Sequence, residues 1–371
     1  MITAQPLALD DYAPANAIAA PQRRGRGATS NDSGRFERFA RTVLHDDLAP
    51  DEDLPPFRTE VIAERAKTVI TRNDSPDIAF DRSINPYRGC EHGCSYCYAR
   101  PSHAFLGLSP GLDFETKLFA KTGAAEVLER ELSAPGYQAR TVALGANTDP
   151  YQPIERDMKI TRAVLEVLAR CEHPVGIVTK SALVTRDIDL LAPMAEKGLV
   201  KVSISLTTLD RGLARAMEPR AATPGKRLEA IRQLTGAGIP VNVLVAPIIP
   251  AINDAEIEQI LAAAREAGAS EAGYVLLRLP LEVREVFAQW LVTHAPQKAR
   301  HVLSLIRSTR GGKDYDSRFH QRQTGDGPVA WMIGRRFEVA AQRLGFARRR
   351  LKLDESRFRP PVREGGQLSL F

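Results

Sequence analysis

From about Ser83 onward, short apolar runs alternate with amphipathic stretches at a regular spacing. Thr141–Leu144 reads as a strand that runs into Gly145. Lys159–Arg170 reads as a helix, with Ile160, Val164, Leu165 and Leu168 on one face. Val175–Val178 is a second apolar strand, ending at Thr179 and Lys180, and Asp187–Glu196 a helix stopped by Gly198. In Leu199–Leu206, Val200, Val202 and Ile204 alternate with Lys201, Ser203 and Ser205, the period of a strand. Pro224–Leu234 is a helix with proline in its first turn; Val241–Ala246 is a strand; Asp254–Glu266 is a helix capped by Asn253 or Asp254; Gly273–Leu279 is a further strand. Strands alternating with helices at this spacing predict a parallel α/β sheet, wound as a barrel or a doubly wound sheet. In a barrel the chemistry sits at the C-terminal ends of strands. Asn147–Asp149, Thr179–Lys180, Thr207–Asp210, Ala246–Asp254 and Arg278 fall there.

The flanks differ from this core. Residues 1–60 are rich in Ala, Pro and Gly, and Arg23–Arg26 reads as a flexible basic arm. The helix at Val329–Leu344 carries Trp331, Phe337, Val339 and Ala340 as expected core residues. From Arg335 to Phe371 ten Arg or Lys stand against four Asp or Glu, an excess equal to the +6 of the whole chain. So localised a charge points to an anionic partner such as DNA, with Phe358 placed among the cations to stack on a base. No apolar run is long enough for a membrane span and no secretory pattern opens the chain, which predicts a cytoplasmic protein with no membrane partner.

Three of the four cysteines lie in Cys90-Glu91-His92-Gly93-Cys94-Ser95-Tyr96-Cys97, and Cys171 stands apart as a structural thiol. Three thiolates this close share one loop, for which Gly89 and Gly93 supply the tight backbone. Thiolates suit zinc or an iron–sulfur cluster; zinc would want a fourth ligand, and His92 is cramped between Cys90 and Cys94.

The C-x3-C-x2-C spacing with Tyr96 before the last cysteine resembles the signature of the radical S-adenosylmethionine (radical SAM) superfamily. The resemblance spans about 200 residues and implies a partial parallel (β/α) barrel with the cluster loop after its first strand. It implies a [4Fe-4S] cluster on Cys90, Cys94 and Cys97, an open iron that chelates SAM, and an electron donor such as flavodoxin or ferredoxin. It also places cofactor contacts on Tyr96, on Gly145, Ala146, Asn147 and Thr148 after the second strand, and on Lys180, Ser203, Ser205 and Arg220.

Tyr87-Arg88-Gly89-Cys90, Cys97-Tyr98-Ala99-Arg100, Leu144–Asp149 and Val178-Thr179-Lys180-Ser181 resemble the spore photoproduct lyase branch. That branch places a hydrogen-donating cysteine where this chain has Asn147. The last residues, Gln367, Leu368, Ser369, Leu370 and Phe371, resemble the peptide by which bacterial polymerases and repair proteins bind the DNA sliding clamp. The expected organisation is an N-terminal arm (1–60), the barrel (61–295), a helical extension (296–347) and a basic tail (348–371). Three functions are compatible with the sequence: a radical SAM enzyme acting on DNA in repair, one acting on RNA, protein or a small molecule, and a non-catalytic metal-containing nucleic-acid-binding protein.

Overall fold

The computed structural model describes residues 16–41 and 55–361. Its strands are β1 (Glu60–Ala63), β2 (Ile70–Arg72), β3 (Arg82–Ile84), β4 (Tyr87–Arg88), β5 (Lys117–Ala120), β6 (Val142–Leu144), β7 (Val175–Thr179), β8 (Val200–Ser205), β9 (Val241–Ile248) and β10 (Glu271–Leu276). The longer α-helices are α1 (Ala124–Leu132), α2 (Ile160–Arg170), α3 (Ile188–Glu196), α4 (Arg211–Met217), α5 (Pro224–Gly236), α6 (Ile257–Glu266), α7 (Val283–His294), α8 (Pro296–Ser308) and α9 (Gly327–Arg343). Seven strands form one sheet in the order β10-β9-β8-β7-β6-β3-β2. From β3 to β10 every neighbouring pair is parallel, and β2 runs antiparallel to β3. Spatial order follows chain order from β3 to β10, with helices in each crossover. The sheet therefore winds one way as a partial barrel instead of reversing as a doubly wound sheet does.

Strand alternation separates the two faces. Val175 and Ile177, Val200, Val202 and Ile204, and Val241, Val243 and Val245 are buried against helix residues such as Val164, Leu165, Leu191, Ile231 and Ile260. The opposite face carries Gly176, Ser203, Ser205, Asn242 and Ala246, which are small or polar, together with Val178 and Leu244, and most of them are only half-buried. Such residues leave the inward face less filled than the core face, the setting for a chamber at the open side of the sheet. β10 and β2 do not pair, and the segment after α8 bridges that seam. Leu276 N–H donates to the Gln323 carbonyl (2.8 Å), and His320 N–H donates to Asp77 Oδ1 (2.6 Å) in the turn after β2.

Three expectations about the flanks are corrected. Arg23–Arg26 leads into a packed segment, not a flexible arm: Arg26 is 6 % exposed and Ala28 0 %. Trp331 is 71 % exposed and Val339 is exposed too, because α9 turns only Ala330, Ile333, Gly334, Phe337 and Ala340 inward. Phe358 is not free to stack on a base: its ring packs against Tyr137 (5.4 Å) and His173 (5.3 Å). The chain around it straps the N-terminal ends of the barrel strands. Leu351 N–H donates to Glu271 (2.6 Å), Lys201 Nζ donates to the Leu351 carbonyl (3.0 Å), and Asp354 N–H donates to the Gly198 carbonyl (2.9 Å). Arg359 N–H reaches the carbonyl of Cys171 (2.8 Å), itself a buried free thiol.

His173 under this strap is fully buried, and that burial holds its pKa down to about 4, with the nearby Arg82 charge acting in the same direction. One ring nitrogen faces the Pro174 carbonyl and the other the Tyr137 hydroxyl (2.9 Å), a pattern that suits neutral imidazole. The folded value lies below the unfolded one of about 6.5, so protonation favours unfolding. This site's stability is complete above about pH 6.5 and falls by about 3 kcal/mol as the pH approaches 4. His173→Gln should flatten the pH dependence of urea unfolding across that window; an unchanged slope would show that His173 does not govern it.

Candidate functional site

The cysteine loop follows β3 and β4 and lies over the C-terminal ends of the barrel strands. Gly89 and Gly93 take φ of +76° and +66°. A Cβ on Gly93 would stand 2.7 Å from Glu115 Oε2, and one on Gly89 2.8 Å from the Phe114 carbonyl. Both positions therefore demand glycine. The loop is tied down on each side: Thr148 Oγ1 donates to the Gly89 carbonyl (2.7 Å), Ser95 N–H to the Met217 carbonyl (3.0 Å), and Arg100 Nε to the Cys94 carbonyl (2.9 Å).

Cys90 and Cys94 are buried, Cys97 is half-buried, and none forms a disulfide. Burial pushes the Cys90 thiol up, and the charges of Asp149, Cys94 and Cys97 push it further; a hydrogen bond from the Asp149 N–H pulls the other way. Burial also raises Cys94, while Lys180 lowers it. The three thiols thus lie close enough to feel one another, beside a cation and an amide donor that favour thiolate. Among the described residues no group of three His, Cys, Asp or Glu side chains has the geometry for a single metal ion. Three mutually interacting thiols on one loop, beside Lys180 and an amide donor, are a donor set of the chemistry that a [4Fe-4S] group takes.

Asp149 ties this loop to the barrel. Its carboxylate accepts from Thr179 Oγ1 (2.6 Å), Lys180 N–H (2.8 Å) and Tyr151 N–H (2.9 Å), and it stands 3.2 Å from His92 Nδ1. Burial raises its pKa, but the His92 charge and these donors outweigh burial and hold it at about 2. His92, weighed from sequence as a cramped metal ligand, is instead this carboxylate's partner.

The other expected residues fall into three groups. Gly145 takes φ +95° at the end of β6, where a Cβ would stand 2.5 Å from the Val178 carbonyl. The Ala146 carbonyl accepts from Tyr98 Oη, Asn147 is exposed with its N–H on Asn85 Oδ1 (2.7 Å), and Lys180 Nζ lies 5.8 Å from the Tyr96 ring centre. These ring the chamber mouth. Ser203 accepts from Asn242 Nδ2 (3.1 Å) and Ser205 donates to the Ala246 carbonyl (2.9 Å), both on the inward face of β8. Tyr96, Thr148 and Arg220 are committed to protein contacts. The Tyr96 hydroxyl donates to Glu218, which is also paired with the buried Arg227. Arg220 Nη2 lies 3.4 Å from Glu91, and its charge reaches Arg26 of the N-terminal segment.

Asp149 and Arg278 stand at the strand ends where the sequence places the chemistry, but sequence gives no role there to them or to Tyr98. Tyr98 reaches from the cysteine loop to β6 while the Arg278 guanidinium lies 5.3 Å from its ring centre. Both residues stand in motifs or strand ends that the sequence marks, and that position was the available signal.

Comparison with known proteins agrees with this geometry. Residues 84–264 match the family model of the radical SAM superfamily. An uncharacterized protein of Mycobacterium tuberculosis is 38% identical over 232 residues, covering 62% of this chain and 68% of that one. An uncharacterized protein of Methanocaldococcus jannaschii is 29% identical over 202 residues, covering 54% of this chain and 71% of that one. A variant of spore photoproduct lyase shares the fold, with a TM-score of 0.56 at 16% identity over 77% of this chain and 80% of that one. A second, with bound AdoMet and a dinucleoside spore photoproduct, gives 0.55 at 17% identity over the same shares. With its cysteine loop over the open end of a partial barrel, the chain belongs to the radical SAM superfamily of enzymes.

Proposed function

We propose that the chain holds a [4Fe-4S] cluster on Cys90, Cys94 and Cys97, binds SAM in the chamber beneath it, and acts on DNA in repair. The observation that carries this reading is three unpaired thiols set on one glycine-shaped loop over a polar chamber. When bound, the cluster supplies the electron, delivered by a donor such as flavodoxin or ferredoxin, that cleaves SAM to methionine and a 5′-deoxyadenosyl radical. The chain's own residues do the rest. Asp149 and His92 fix the loop against β7, and Lys180 offers an ammonium group at the mouth for the SAM carboxylate. Ser203, Ser205 and Asn242 present hydroxyl and amide groups on the inward wall for ribose or base. Tyr98, bonded to the Ala146 carbonyl, stands at the entrance with Arg278 beside its ring.

DNA is supported by the fold shared with a lyase whose solved structure holds a dinucleoside photoproduct. Arg348, Arg349 and Arg350 are exposed at the strand N-terminal end of the barrel. β8 has six residues, so the tail lies about 20 Å from the site. Its proposed part is to hold DNA outside the site. The clamp-binding peptide, Gln367–Phe371, lies outside the described residues and is proposed as a tether to the replication machinery.

Anaerobic reconstitution followed by an assay for 5′-deoxyadenosine tests the core of this reading. Cys90→Ala, Cys94→Ala and Cys97→Ala should each lose the cluster and all SAM cleavage, whereas Cys171→Ala should keep both; a cysteine-loop variant with full iron and normal 5′-deoxyadenosine would contradict the assignment. Removing residues 367–371 should abolish retention on immobilised sliding clamp and leave iron content unchanged. Retention at undiminished affinity would end the clamp proposal.

A further inference from the structure

The N-terminal segment lies along α7, next to the cysteine loop. Its Arg23–Arg26 turn sits by His294 at one end of that helix, Ser30 Oγ donates to Gln289 Oε1 (2.7 Å) in the middle, and Arg35 Nε contacts Glu282 Oε1 (2.5 Å) just before the other end. At the His294 end the segment, α4 and α7 enclose a cavity of about 510 Å³ lined by Arg23, Arg24, Arg26, Arg215, Pro219 and His294, among others, with no carboxylate in its wall. Trp290 Nε1 holds α4 to α7 through the Ala216 carbonyl (2.9 Å).

Arg26 lies near the carboxylates of Glu115 and Glu91 and donates through its Nη atoms to the Glu115 and Phe57 carbonyls and to Thr59 Oγ1. No salt bridge reaches Arg23, Arg24, Arg26 or Arg215 among the described residues, where most other arginines have one. Arg26 is more than nine-tenths buried, and its Nε, like that of Arg23, has no hydrogen-bond partner among them. Burial and then the neighbouring Arg220 charge depress its pKa, against the charges of Glu115 and Glu91, which raise it. Arg24 and Arg215 are exposed and Arg23 half-buried around the buried Arg26, and like charges gathered at one opening repel, so such a wall is stabilised by an anion that reaches the exposed members. The Met217–Arg220 stretch bordering the cavity is hydrogen-bonded to the cysteine loop through Ser95 and His92, which puts the cavity at the same end of the barrel as the site.

A second feature indicates what kind of anion. At the other end of α7, about 18 Å away, Phe36 (55 % exposed), Phe39 (78 %) and Phe105 (71 %) present their rings to solvent. Guanidinium groups flank them, Arg35 at 5.1 Å and 5.7 Å from the Phe36 and Phe105 ring centres and Arg38 at 6.0 Å from that of Phe39. A phosphate cradle in line with exposed aromatic rings is the arrangement that takes a single strand of nucleic acid, whose backbone and base faces it matches in turn.

We infer that the Arg23–Arg24–Arg26–Arg215 cavity binds backbone phosphates of a single nucleic-acid strand, whose bases stack on Phe36, Phe39 and Phe105 as the strand passes the site. This rests on the reading of DNA as substrate.

The test uses the full chain and a fluorescein-labelled single-stranded oligonucleotide of mixed sequence, titrated by anisotropy at several salt concentrations. The combined change Arg23→Ala, Arg24→Ala and Arg215→Ala leaves the buried Arg26 in place. It should weaken binding by about tenfold or more and reduce the slope of log affinity against log salt by about 2, at about 0.7 per phosphate contact. Phe39→Ala with Phe105→Ala, both at the surface, should cost about tenfold with no change of slope. Equal affinity and slope in the arginine variant would overturn the cavity assignment and leave the DNA reading standing. A wild-type chain that binds no strand would overturn both. Displacement of the strand by micromolar inorganic pyrophosphate, with no effect of the phenylalanine changes, would assign the cavity to a free phosphate ligand and overturn strand docking.

Discussion

The carboxylate of Glu115 is the fixed point of the site. It is fully buried, and its two oxygens accept from Arg100 (2.5 Å), from the Ala28 N–H (2.8 Å) and from the Gly27 N–H (2.9 Å). Arg100, equally buried, spends its remaining donors on the carbonyls of Cys94, Pro110 and Gly111. Burying two charges costs several kcal/mol each, and such a pair persists only when its hydrogen-bonding capacity is filled, as it is here. The pair thus joins three stretches far apart in sequence: the N-terminal segment, the cysteine loop and the residues leading into β5. Gly93 has room only for a hydrogen because Glu115 stands behind it.

From that anchor the molecule acquires two ends with different tasks. At the C-terminal ends of the strands, Glu115 holds the loop from outside and Asp149 holds it from the barrel side, so protein contacts set the thiols over the open end of the barrel. Preformed ligands lower the ordering cost of binding. At the other end the C-terminal strap covers the strand N-termini, with Lys201 and Glu271 both bonded to Leu351. The two basic regions are divided between these ends. The N-terminal arginines stand beside the site and the C-terminal ones stand away from it, although composition alone gives greater weight to the latter.

The barrel was legible because its signal is local. Val200-Lys201-Val202-Ser203-Ile204 announces a strand with two unlike faces, and the structure buries one of them completely. The cysteine loop was legible because three ligands and two glycines fall within nine residues. What escaped depends on contacts distant in sequence. Arg26 looks like a solvated charge until residues near 115 fold against it, and Phe358 looks free until His173 and Tyr137 are beside it. Trp331 failed for the opposite reason: its helix is amphipathic, but the size of a side chain does not say which face it takes. Asp149 was visible as a strand-end acid, yet its pairing with His92 joins residues 57 positions apart.

The buried Glu115–Arg100 pair holds the cysteine loop ready. Iron content and urea-unfolding midpoint, measured side by side on Glu115→Gln and on wild type after identical anaerobic reconstitution, test it most directly. The substitution keeps the shape of the side chain but removes the charge that Arg100 and two backbone N–H groups share. Glu115→Gln should lose about 3 kcal/mol or more in stability, as for a broken buried pair, and retain well below the iron of wild type. An unchanged midpoint with a full complement of iron would contradict it.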